Sequence, residues 1–469
     1  RAVAEAIMTT TAHPSSGIVV VGGGPAAHRF VERLRHHGHH DPVTVLCAEP
    51  SPPYNRVLLT SVLAGALPPR AVVLPTLGGA TDLRLRTTAM RIDRRRRLVH
   101  TDDGSVHPYR TLVLVTGSRP ETPDELPRID EVRTLRTLAD CGTLPEGPVA
   151  ILGAGVLGVE TALALCRAGR EVVLVHRRPY PMNRQLGPDA GCLLAMSLAG
   201  HGIDVRTNRR IVEYTPGKLM LDDGQVIQAN TLLVCTGAAP DTRLARRAGL
   251  AVRRGVVVNA RLRTSDPHIH ALGDCAEPRG GSTGLLLSAW DQAELLARTL
   301  SGRPVSRRPA KAALRLNAPE LDLAVYGSAD AAATNSVTLS APSSGRYARL
   351  LLRDDRIVGA VLLGLPRAMA NVGLLYDRDL PVPSDRLALL LGRPATLGAG
   401  VVELPDEAIV CVCNGVTKAD LARAWADGAR ELSELAAATR ATTGCGGCAQ
   451  AVRRACAVRP PDRNASERL

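Results

Sequence analysis

The chain has 469 residues, of which 45% are apolar and 22% charged, and its formal net charge is +13. This composition excludes a disordered or fibrous protein, and the length predicts about three domains. The chain contains one Phe, two Trp and seven Tyr, so its core must be built from Leu, Val and Ala, which suits the buried parallel strands of an α/β protein.

The positive charge does not predict nucleic-acid binding. Basic residues are spread along the chain, and the densest run, Arg94 to Arg97, follows Asp93 and precedes a strand-like segment, as expected of a solvated turn. Biased composition is the favoured explanation of the charge, and an acidic partner surface is the alternative. There is no run of about eighteen apolar residues and no apolar core of a signal peptide, so the sequence predicts a cytoplasmic protein without a membrane segment.

A strand, a glycine-rich turn and a helix open the chain. An apolar strand at residues 18–21 runs into the turn 22–27, and a second strand at 43–46 is followed by an acid. In such a turn the first glycine makes the bend, the second lets the backbone approach a pyrophosphate, and the third position lets helix and strand pack closely. The anion lies at the helix N-terminus, and the acid accepts hydrogen bonds from a ribose. The predicted contacts are Gly22, Gly24, Pro25, Ala26 and Glu49.

The same pattern recurs in the middle of the chain. A strand at 149–152 leads into the turn 153–158, and a second strand at 172–175 is followed by three basic residues. One such glycine pattern is weak, but two in register predict two dinucleotide sites. Arginines at the position where an NAD enzyme often places an acid can accommodate a 2′-phosphate. The predicted contacts are Gly153, Gly155, Val156, Leu157, Gly158, His176, Arg177, Arg178 and Gly237.

Motifs at two later strand ends indicate which cofactor binds at each site. Residues 112–118 and 269–274 resemble strand-end motifs of the FAD/NAD(P) pyridine nucleotide-disulfide oxidoreductase superfamily, in which the aspartate of the second motif holds the flavin ribityl chain. Alone, residues 116–117 would suit a simple strand-to-loop turn. The resemblance implies FAD at the first site and NAD(P)H at the second. A helix at 289–293 resembles the one whose N-terminus faces the flavin pyrimidine edge. The implied flavin contacts are Thr116, Gly117, Asp274 and Gln292.

Three further resemblances concern the nitrite-reductase-like members of this superfamily. The segment 53–59 is similar to one in which an arginine lies by the FAD phosphates, which implies this role for Arg56. Glu160 resembles the family's helix residue near the nicotinamide pocket. The segment 181–187 resembles one found in NADH-using nitrite reductases, whereas the arginines after His176 suit NADPH. Both cofactors stay open, with NADH favoured.

The cysteines indicate where electrons leave the flavin. Seven of the eleven are scattered and four lie in two close pairs near the C-terminus. The redox pairs that many relatives use, C-x4-C in the FAD domain or C-x2-C in the nicotinamide domain, do not occur before residue 400. The single cysteine of peroxidase-like relatives is also missing from its region, residues 61–65. Flavin electrons therefore need another exit.

The paired cysteines supply that exit. Cys411 and Cys413 are separated by 31 residues from Cys445 and Cys448. Four thiolates in two tight pairs suit a [2Fe-2S] centre, and a structural four-cysteine zinc site is the alternative. The pattern resembles the bacterioferritin-associated ferredoxin-type cluster domain, which implies a [2Fe-2S] cluster on these four ligands. Cys456 is expected to pack rather than to bind metal.

The predicted fold class is α/β, with two Rossmann-like dinucleotide-binding domains for FAD and NAD(P), an α+β interface domain of short strands, and a small helical [2Fe-2S] module. A capping pattern at 417–420 predicts a helix in that module. Residues 1–7 precede Met8, a natural start, and are expected to lie outside the fold. The predicted limits are a disordered or vector-derived N-terminus at 1–17, the FAD domain at 18–140 and 237–303, the NAD(P) domain at 141–236, the interface domain at 304–395, the cluster domain at 404–458 and a tail at 459–469.

Residues 18 to about 456 resemble the N-terminal part of the assimilatory NADH nitrite reductase large subunit and the electron-transfer subunit of assimilatory nitrate reductase. The former continues into a sirohaem and [4Fe-4S] region, so this chain is expected not to reduce nitrite by itself. The resemblance implies a subunit that passes electrons from NAD(P)H through FAD and the cluster to a catalytic molybdenum-dependent nitrate reductase. Two alternatives are a stand-alone NAD(P)H:ferredoxin or rubredoxin reductase and a non-catalytic redox-sensing or zinc-binding protein.

Overall fold

The computed structural model describes residues 17–279, 281, 284, 286–305, 311–392, 406, 409–411, 414–442, 448 and 451–453. Packing divides the chain into two compact units. The first contains the described parts of Arg1–Tyr54, Leu74–Ser118 and Pro240–Arg308. The second contains the described parts of Asn55–Val73, Arg119–Ala239 and Pro309–Leu469. These units are defined by packing, so the predicted limits of the cofactor-binding domains stay a prediction.

The first unit is built on a five-stranded parallel sheet. Its central strand, Ile18–Val21, is buried along its whole length, as expected of an apolar strand covered on both faces. Helices Pro25–His36 and Leu286–Leu300 share one hydrophobic core with this sheet. The strands in spatial order are Ile269–Ala271, Thr111–Leu114, Ile18–Val21, Val43–Leu46 and Thr81–Arg84. The unit also contains an antiparallel sheet of Ala89–Asp93, Leu98–Thr101 and Val106–Pro108, the paired strands Val256–Val257 and Ala276–Glu277, the helix Arg243–Arg247 and the 3-10 turn Gly273–Cys275.

Glu294 joins the two long helices of this unit. Its Oε2 accepts a hydrogen bond from Arg33 Nε at 2.5 Å, and its Oε1 accepts from Arg298 Nε at 2.6 Å and lies 2.9 Å from His37 Nε2. Burial raises the pKa of Glu294, but the hydrogen bonds from Arg33 and Arg298 outweigh burial and bring its pKa to about 2, from 4.5. The carboxylate is therefore charged at neutral pH and holds donors from both helices.

We expect Glu294→Gln to lower the free energy of unfolding by about 1–2 kcal/mol at pH 7, which is less than the pKa shift alone implies because solvent screens the partly exposed carboxylate. A carboxyl group with a depressed folded-state pKa stabilises the fold above its unfolded pKa, and this contribution is lost as pH falls toward the folded value. The difference between variant and wild type should therefore shrink from about pH 4.5 toward pH 2 in urea titrations.

A matched control is Glu32→Gln. Glu32 lies on the same helix pair, its side chain is 50% exposed, and it pairs with Arg29 one turn away. This variant should unfold within about 0.5 kcal/mol of the wild type, as is usual for exposed ion pairs. A Glu294→Gln effect that is equal at pH 7 and pH 3 would contradict an ionic origin.

The second unit repeats the parallel design. Helices Val156–Arg167 and Pro188–Gly200 cover its sheet, whose central strand is Val149–Leu152. The strands in spatial order are Asp204–Thr207, Val172–His176, Val149–Leu152, Thr231–Val234 and Val132–Thr134. An antiparallel sheet of Ile211–Thr215, Gly217–Leu221 and Val226–Ala229 packs with it. The unit also contains the 3-10 turns Arg56–Leu58, Pro69–Val72 and Ala139–Cys141 and the helix Leu59–Leu63.

A separate antiparallel sheet follows, as the short alternating strands after residue 304 predicted. Its two longest strands are joined by Asp354 and Asp355, both with positive φ (50° and 54°), the geometry of the tight turns that fit the twist of a hairpin. The strands in spatial order are Ala313–Arg315, Leu323–Gly327, Arg356–Leu363, Arg346–Arg353 and Asn335–Ala341. Helices Pro366–Arg378 and Arg386–Leu390 complete this core. The two parallel sheets and this α+β region confirm the predicted fold class.

The C-terminal part is a small module with its own core. Strands Ile409–Cys411 and Val416–Thr417 pair before the helices Lys418–Ala426 and Leu432–Thr439. The predicted capping pattern is confirmed, because Thr417 Oγ1 accepts from the Asp420 amide at 3.1 Å and Asp420 Oδ2 accepts from the Thr417 amide at 2.9 Å. Among the helices in the described ranges, none has the length and apolar character needed to cross a membrane.

Candidate functional site

The first glycine turn brings backbone segments so close together that its first residue has no room for a side chain. Gly22 has φ +117°, and a Cβ there would lie 2.1 Å from the carbonyl oxygen of Val115, so only glycine fits. Gly24 is the N-cap residue of helix Pro25–His36, and no side chain caps that helix. The first N–H groups of a helix have no partner within it and, with the helix dipole, attract an anion. The turn therefore fits the pyrophosphate of a dinucleotide.

Several predicted flavin contacts gather beside this turn. Ser118 Oγ donates to Asp274 Oδ2 at 2.9 Å, and the Gly273 amide donates to Gln292 Oε1 at 2.7 Å. A Cβ on Gly273 would lie 3.4 Å from Ala26 Cβ, which places the aspartate's turn against the start of the glycine-turn helix. The structure thus brings Ala26, Asp274 and Gln292, which are far apart in sequence, to one end of the first sheet.

The other flavin contacts predicted in this unit have defined partners. Thr116 Oγ1 donates to the carbonyl oxygen of Asp241 at 2.6 Å, and Gly117 turns with φ +69°. Glu49 Oε2 accepts from Tyr54 Oη at 2.5 Å. A carboxylate has about four lone-pair sites, so this bond is compatible with the predicted ribose contact.

Arg56 belongs to the second unit and lies on a 3-10 turn. Asn55 caps this turn by accepting from the Val57 amide at 3.1 Å. Arg56 Nη1 donates to the carbonyl oxygen of Arg136 at 2.7 Å. A guanidinium has five N–H donors, so this bond is compatible with a phosphate contact, and the role of Arg56 stays a prediction.

The second glycine turn has the same close backbone packing at its first residue. Gly153 has φ +105°, and its Cβ would lie 2.5 Å from the carbonyl oxygen of Cys235. A Cβ on Gly158 would lie 1.8 Å from the carbonyl oxygen of Gly153, so strand and helix approach here more closely than a side chain allows. Gly155, the N-cap residue, faces open space, and Leu157 stays exposed at the start of the helix. The open side of Gly155 fits a pyrophosphate.

The ring of His176 is held at both nitrogens. The Ala154 amide donates to Nδ1 at 3.2 Å, and Nε2 lies 3.1 Å from Asn183 Oδ1. Since Nδ1 accepts, the proton is on Nε2 and the ring is neutral. Burial lowers the pKa of His176, and the positive charges of Arg177 and Arg178 lower it further, whereas the hydrogen bond to Asn183 raises it. Both arginine side chains are exposed.

Glu160 and Gly237 complete the predicted nicotinamide contacts. Glu160 is buried on the glycine-turn helix, and its Oε1 accepts from the Asn317 amide at 2.7 Å, while Asn317 Nδ2 donates to the carbonyl oxygen of Val57 at 3.0 Å. Gly237 has φ +125°, and its carbonyl oxygen accepts from the Glu121 amide at 3.0 Å. Three distant segments of the second unit therefore meet at Asn317, and the place of Glu160 near a nicotinamide stays a prediction.

Two of the four predicted cluster ligands can be described. Cys411 and Cys448 are buried in the same small apolar core of the C-terminal module, while Cys413 and Cys445 lie outside the described residues. With those two outside, the described residues contain no group of three or more side chains able to hold a metal. Paired thiols in an apolar core are the donor chemistry that an iron-sulfur cluster requires.

Three cysteines of the described residues have thiols that are weaker acids than usual. Burial raises the pKa of Cys141 and of Cys235 to about 12, and it also raises the pKa of Cys275. These thiols are protonated at neutral pH, and the thiolate is the form that attacks a disulfide. None of these three thiols is therefore a candidate for attacking a disulfide at neutral pH.

Four polar residues of these sites were not among the predicted contacts. Tyr54 and Ser118 lie inside the motif segments that were singled out, so a search for hydroxyl groups beside Glu49 and Asp274 would have suggested them. Asn183 lies in the segment 181–187, and Asn317 lies in no named motif. Neither was predictable as a contact, because each is defined by a partner that only the fold brings near.

Two family models match the chain. The model described as pyridine nucleotide-disulphide oxidoreductase matches residues 16–293, which is more than half of the chain. The model described as BFD-like [2Fe-2S] binding domain matches residues 409–455, which span the four paired cysteines. The two matches agree with the two glycine turns and with the C-terminal module.

Individual proteins give a consistent result. Nitrite reductase [NAD(P)H] of Bacillus subtilis (strain 168) is 30% identical over 457 residues, which cover 92% of this chain and 56% of that protein. The assimilatory nitrate reductase electron transfer subunit of the same organism is 30% identical over 453 residues, with coverages of 92% and 58%. The chain therefore spans little more than half the length of these curated relatives.

The fold is shared with a chain of a solved protein complex. The crystal structure of the covalent putidaredoxin reductase-putidaredoxin complex matches with a TM-score of 0.73 and 24% identity, covering 79% of this chain and 95% of that chain. At this identity the likeness shows the fold alone.

Proposed function

Because the chain belongs to the pyridine nucleotide-disulphide oxidoreductase family, we propose that it passes electrons from NAD(P)H through FAD and a [2Fe-2S] cluster to a separate catalytic protein, an assimilatory nitrate reductase. The chain is an NAD(P)H-dependent FAD oxidoreductase with a C-terminal BFD-like domain. The observation that carries the proposal is the presence, in one chain, of two glycine turns that fit dinucleotides and a four-cysteine module.

The first unit supplies a site for FAD. When bound, the flavin takes electrons as a hydride and releases them one at a time. The turn at Gly22 and the N-terminus of the following helix would hold the pyrophosphate, and Glu49 would accept from the adenosine ribose. Ser118 fixes the carboxylate of Asp274, and Gln292 fixes the Gly273 amide, so both groups are oriented before a ligand binds. Orientation of this kind reduces the entropy lost on binding.

The second unit supplies a site for the nicotinamide substrate. The turn at Gly153 and the open face of Gly155 would receive the pyrophosphate, with the ribose near His176. The buried carboxylate of Glu160, fixed by the Asn317 amide, is the acidic group that we place beside the nicotinamide.

The acceptor is inferred from similarity. The Bacillus subtilis relative is an electron transfer subunit of assimilatory nitrate reductase. It matches 92% of the length of this chain. The cluster module gives such a subunit a one-electron outlet that is separate from both dinucleotide turns in sequence. A stand-alone reductase of a small ferredoxin or rubredoxin differs in that it turns over rapidly with the carrier alone.

Anaerobic titration of the purified protein with NADH and then NADPH tests the proposal. Flavin bleaching followed by absorbance, and then the electron paramagnetic resonance signal of a reduced [2Fe-2S] cluster, are the expected result. Adding an assimilatory nitrate reductase and nitrate should then reoxidise both centres and yield nitrite. Bleaching without a cluster signal would overturn the relay, and fast reduction of rubredoxin with no nitrite formed would favour the stand-alone reductase.

A further inference from the structure

The end of strand Val172–His176 lacks an acceptor for a ribose. In dinucleotide sites that take NADH, a carboxylate after the second strand accepts hydrogen bonds from the 2′-hydroxyl. Here that position is His176, and residues 176–188 contain no acid. Its Nδ1 already accepts from the Ala154 amide, and its Nε2 already has Asn183 as partner. The ring therefore has no lone pair left for a ribose hydroxyl.

Two exposed arginines, Arg177 and Arg178, directly follow His176 in the sequence. The His176 carbonyl oxygen accepts from the Arg209 amide at 3.1 Å, and the Arg178 carbonyl oxygen accepts from the Asn208 amide at 3.1 Å. These bonds hold the backbone of Arg177 and Arg178 beside the edge strand. The charge of Arg209 is compensated by Asp223 at 2.6 Å, whereas no acid forms a salt bridge with Arg177 or Arg178 among the residues that the structure describes. A planar guanidinium is well suited to a phosphate.

We propose that the second site selects NADPH over NADH, with Arg177 and Arg178 on the 2′-phosphate and His176 as a specificity-determining residue that withholds an acceptor from an unphosphorylated ribose. This rests on the proposed function, and it reverses the preference for NADH that the segment 181–187 favoured. The ring of His176 is anchored to the glycine turn by the hydrogen bond from the Ala154 amide. It cannot rotate toward the ribose without breaking that bond.

The first experiment uses the wild-type holoenzyme. We expect the ratio of kcat to KM, with ferricyanide as electron acceptor, to be about tenfold or more higher for NADPH than for NADH. Calorimetry should show adenosine 2′,5′-bisphosphate binding about tenfold or more tightly than adenosine 5′-monophosphate, because the two differ only in the 2′-phosphate. This second measurement requires no electron transfer.

The second experiment uses variants. Replacing both Arg177 and Arg178 by alanine should lower kcat/KM for NADPH about tenfold to hundredfold and change that for NADH by less than about threefold. Arg247→Ala removes an exposed arginine from the first unit and serves as the charge control. His176→Glu keeps an acceptor for the Ala154 amide and adds one for the ribose, so it should shift the preference toward NADH by about tenfold.

The outcomes separate the inference from the proposed function. Equal or better turnover of the wild type with NADH, or equal binding of the two adenosine phosphates, overturns the inference and leaves the flavoenzyme intact. A loss of both cofactors alike in the double arginine variant also overturns it. If neither NADH nor NADPH reduces the flavin, it is the proposed function that fails. A variant that does not fold leaves the wild-type comparison decisive.

Discussion

Replacing Cys411 by serine is expected to lower electron transfer to a protein acceptor by at least about 100-fold while reduction of the flavin by NAD(P)H stays within about twofold of the wild type. Cys411 is fully buried in the core of the C-terminal module. A hydroxyl is a much poorer ligand for iron than a thiolate, and a buried site offers no water to replace it. The two dinucleotide turns lie elsewhere in the sequence, so their chemistry should persist.

Three measurements check this expectation. Iron content and the resonance signal of the reduced cluster should both fall, while ferricyanide, which can take electrons directly from a flavin, should still be reduced. Cys448→Ser should behave in the same way, because Cys448 is buried in the same core. Cys192→Ser is the control, since Cys192 is exposed on helix Pro188–Gly200. Normal transfer to the protein acceptor in Cys411→Ser would contradict the relay.

Gly155→Ala is expected to raise KM for NAD(P)H by about tenfold to hundredfold with little change in stability. A Cβ at Gly155 meets no atom of the protein, and its φ of −75° suits any residue. The methyl group would instead occupy the space through which the backbone approaches a pyrophosphate. Replacing this glycine therefore tests binding without disturbing the fold.

Gly187→Ala is a closely matched control. Gly187 is also the N-cap residue of a helix, with φ −76° and open space at its Cβ, but no pyrophosphate is expected there. Its KM should stay within about twofold of the wild type, and both variants should melt within about 2 °C of it. Gly158→Ala gives the opposite pattern, a loss of stability, because its Cβ would lie 1.8 Å from a carbonyl oxygen. Equal KM values for the first two variants would argue against a pyrophosphate at Gly155.

The sequence was most informative where structure depends on neighbours along the chain. The strands at 18–21 and 149–152 and the glycine turns after them follow from short apolar runs and from glycine spacing, and the structure confirms both. The helix after Thr417 was likewise predicted from a pattern of four residues. In each case the responsible interactions join residues only a few positions apart.

Interactions between distant segments were not predictable in this way. Strand Val132–Thr134 has three residues and no alternation, and its place at the edge of the second sheet depends on pairing with Thr231–Val234. The bond between Glu160 and Asn317 joins residues 157 positions apart. The two partners of His176 decide whether its ring can accept from a ribose. Ala154 lies in the glycine turn and Asn183 in the segment 181–187, but neither pattern indicates that these residues contact the ring.

The strand order of the first sheet has a consequence for the newly made chain. Strand Thr111–Leu114 pairs on one side with Ile18–Val21 and on the other with Ile269–Ala271, which is synthesised much later. At about 5–20 residues per second, the ribosome needs roughly 10–30 s to reach the missing strand. All five strands of the second sheet emerge before that strand. The sheet of the second unit can therefore close during translation, while the sheet of the first unit keeps an unpaired edge, to which a chaperone could bind.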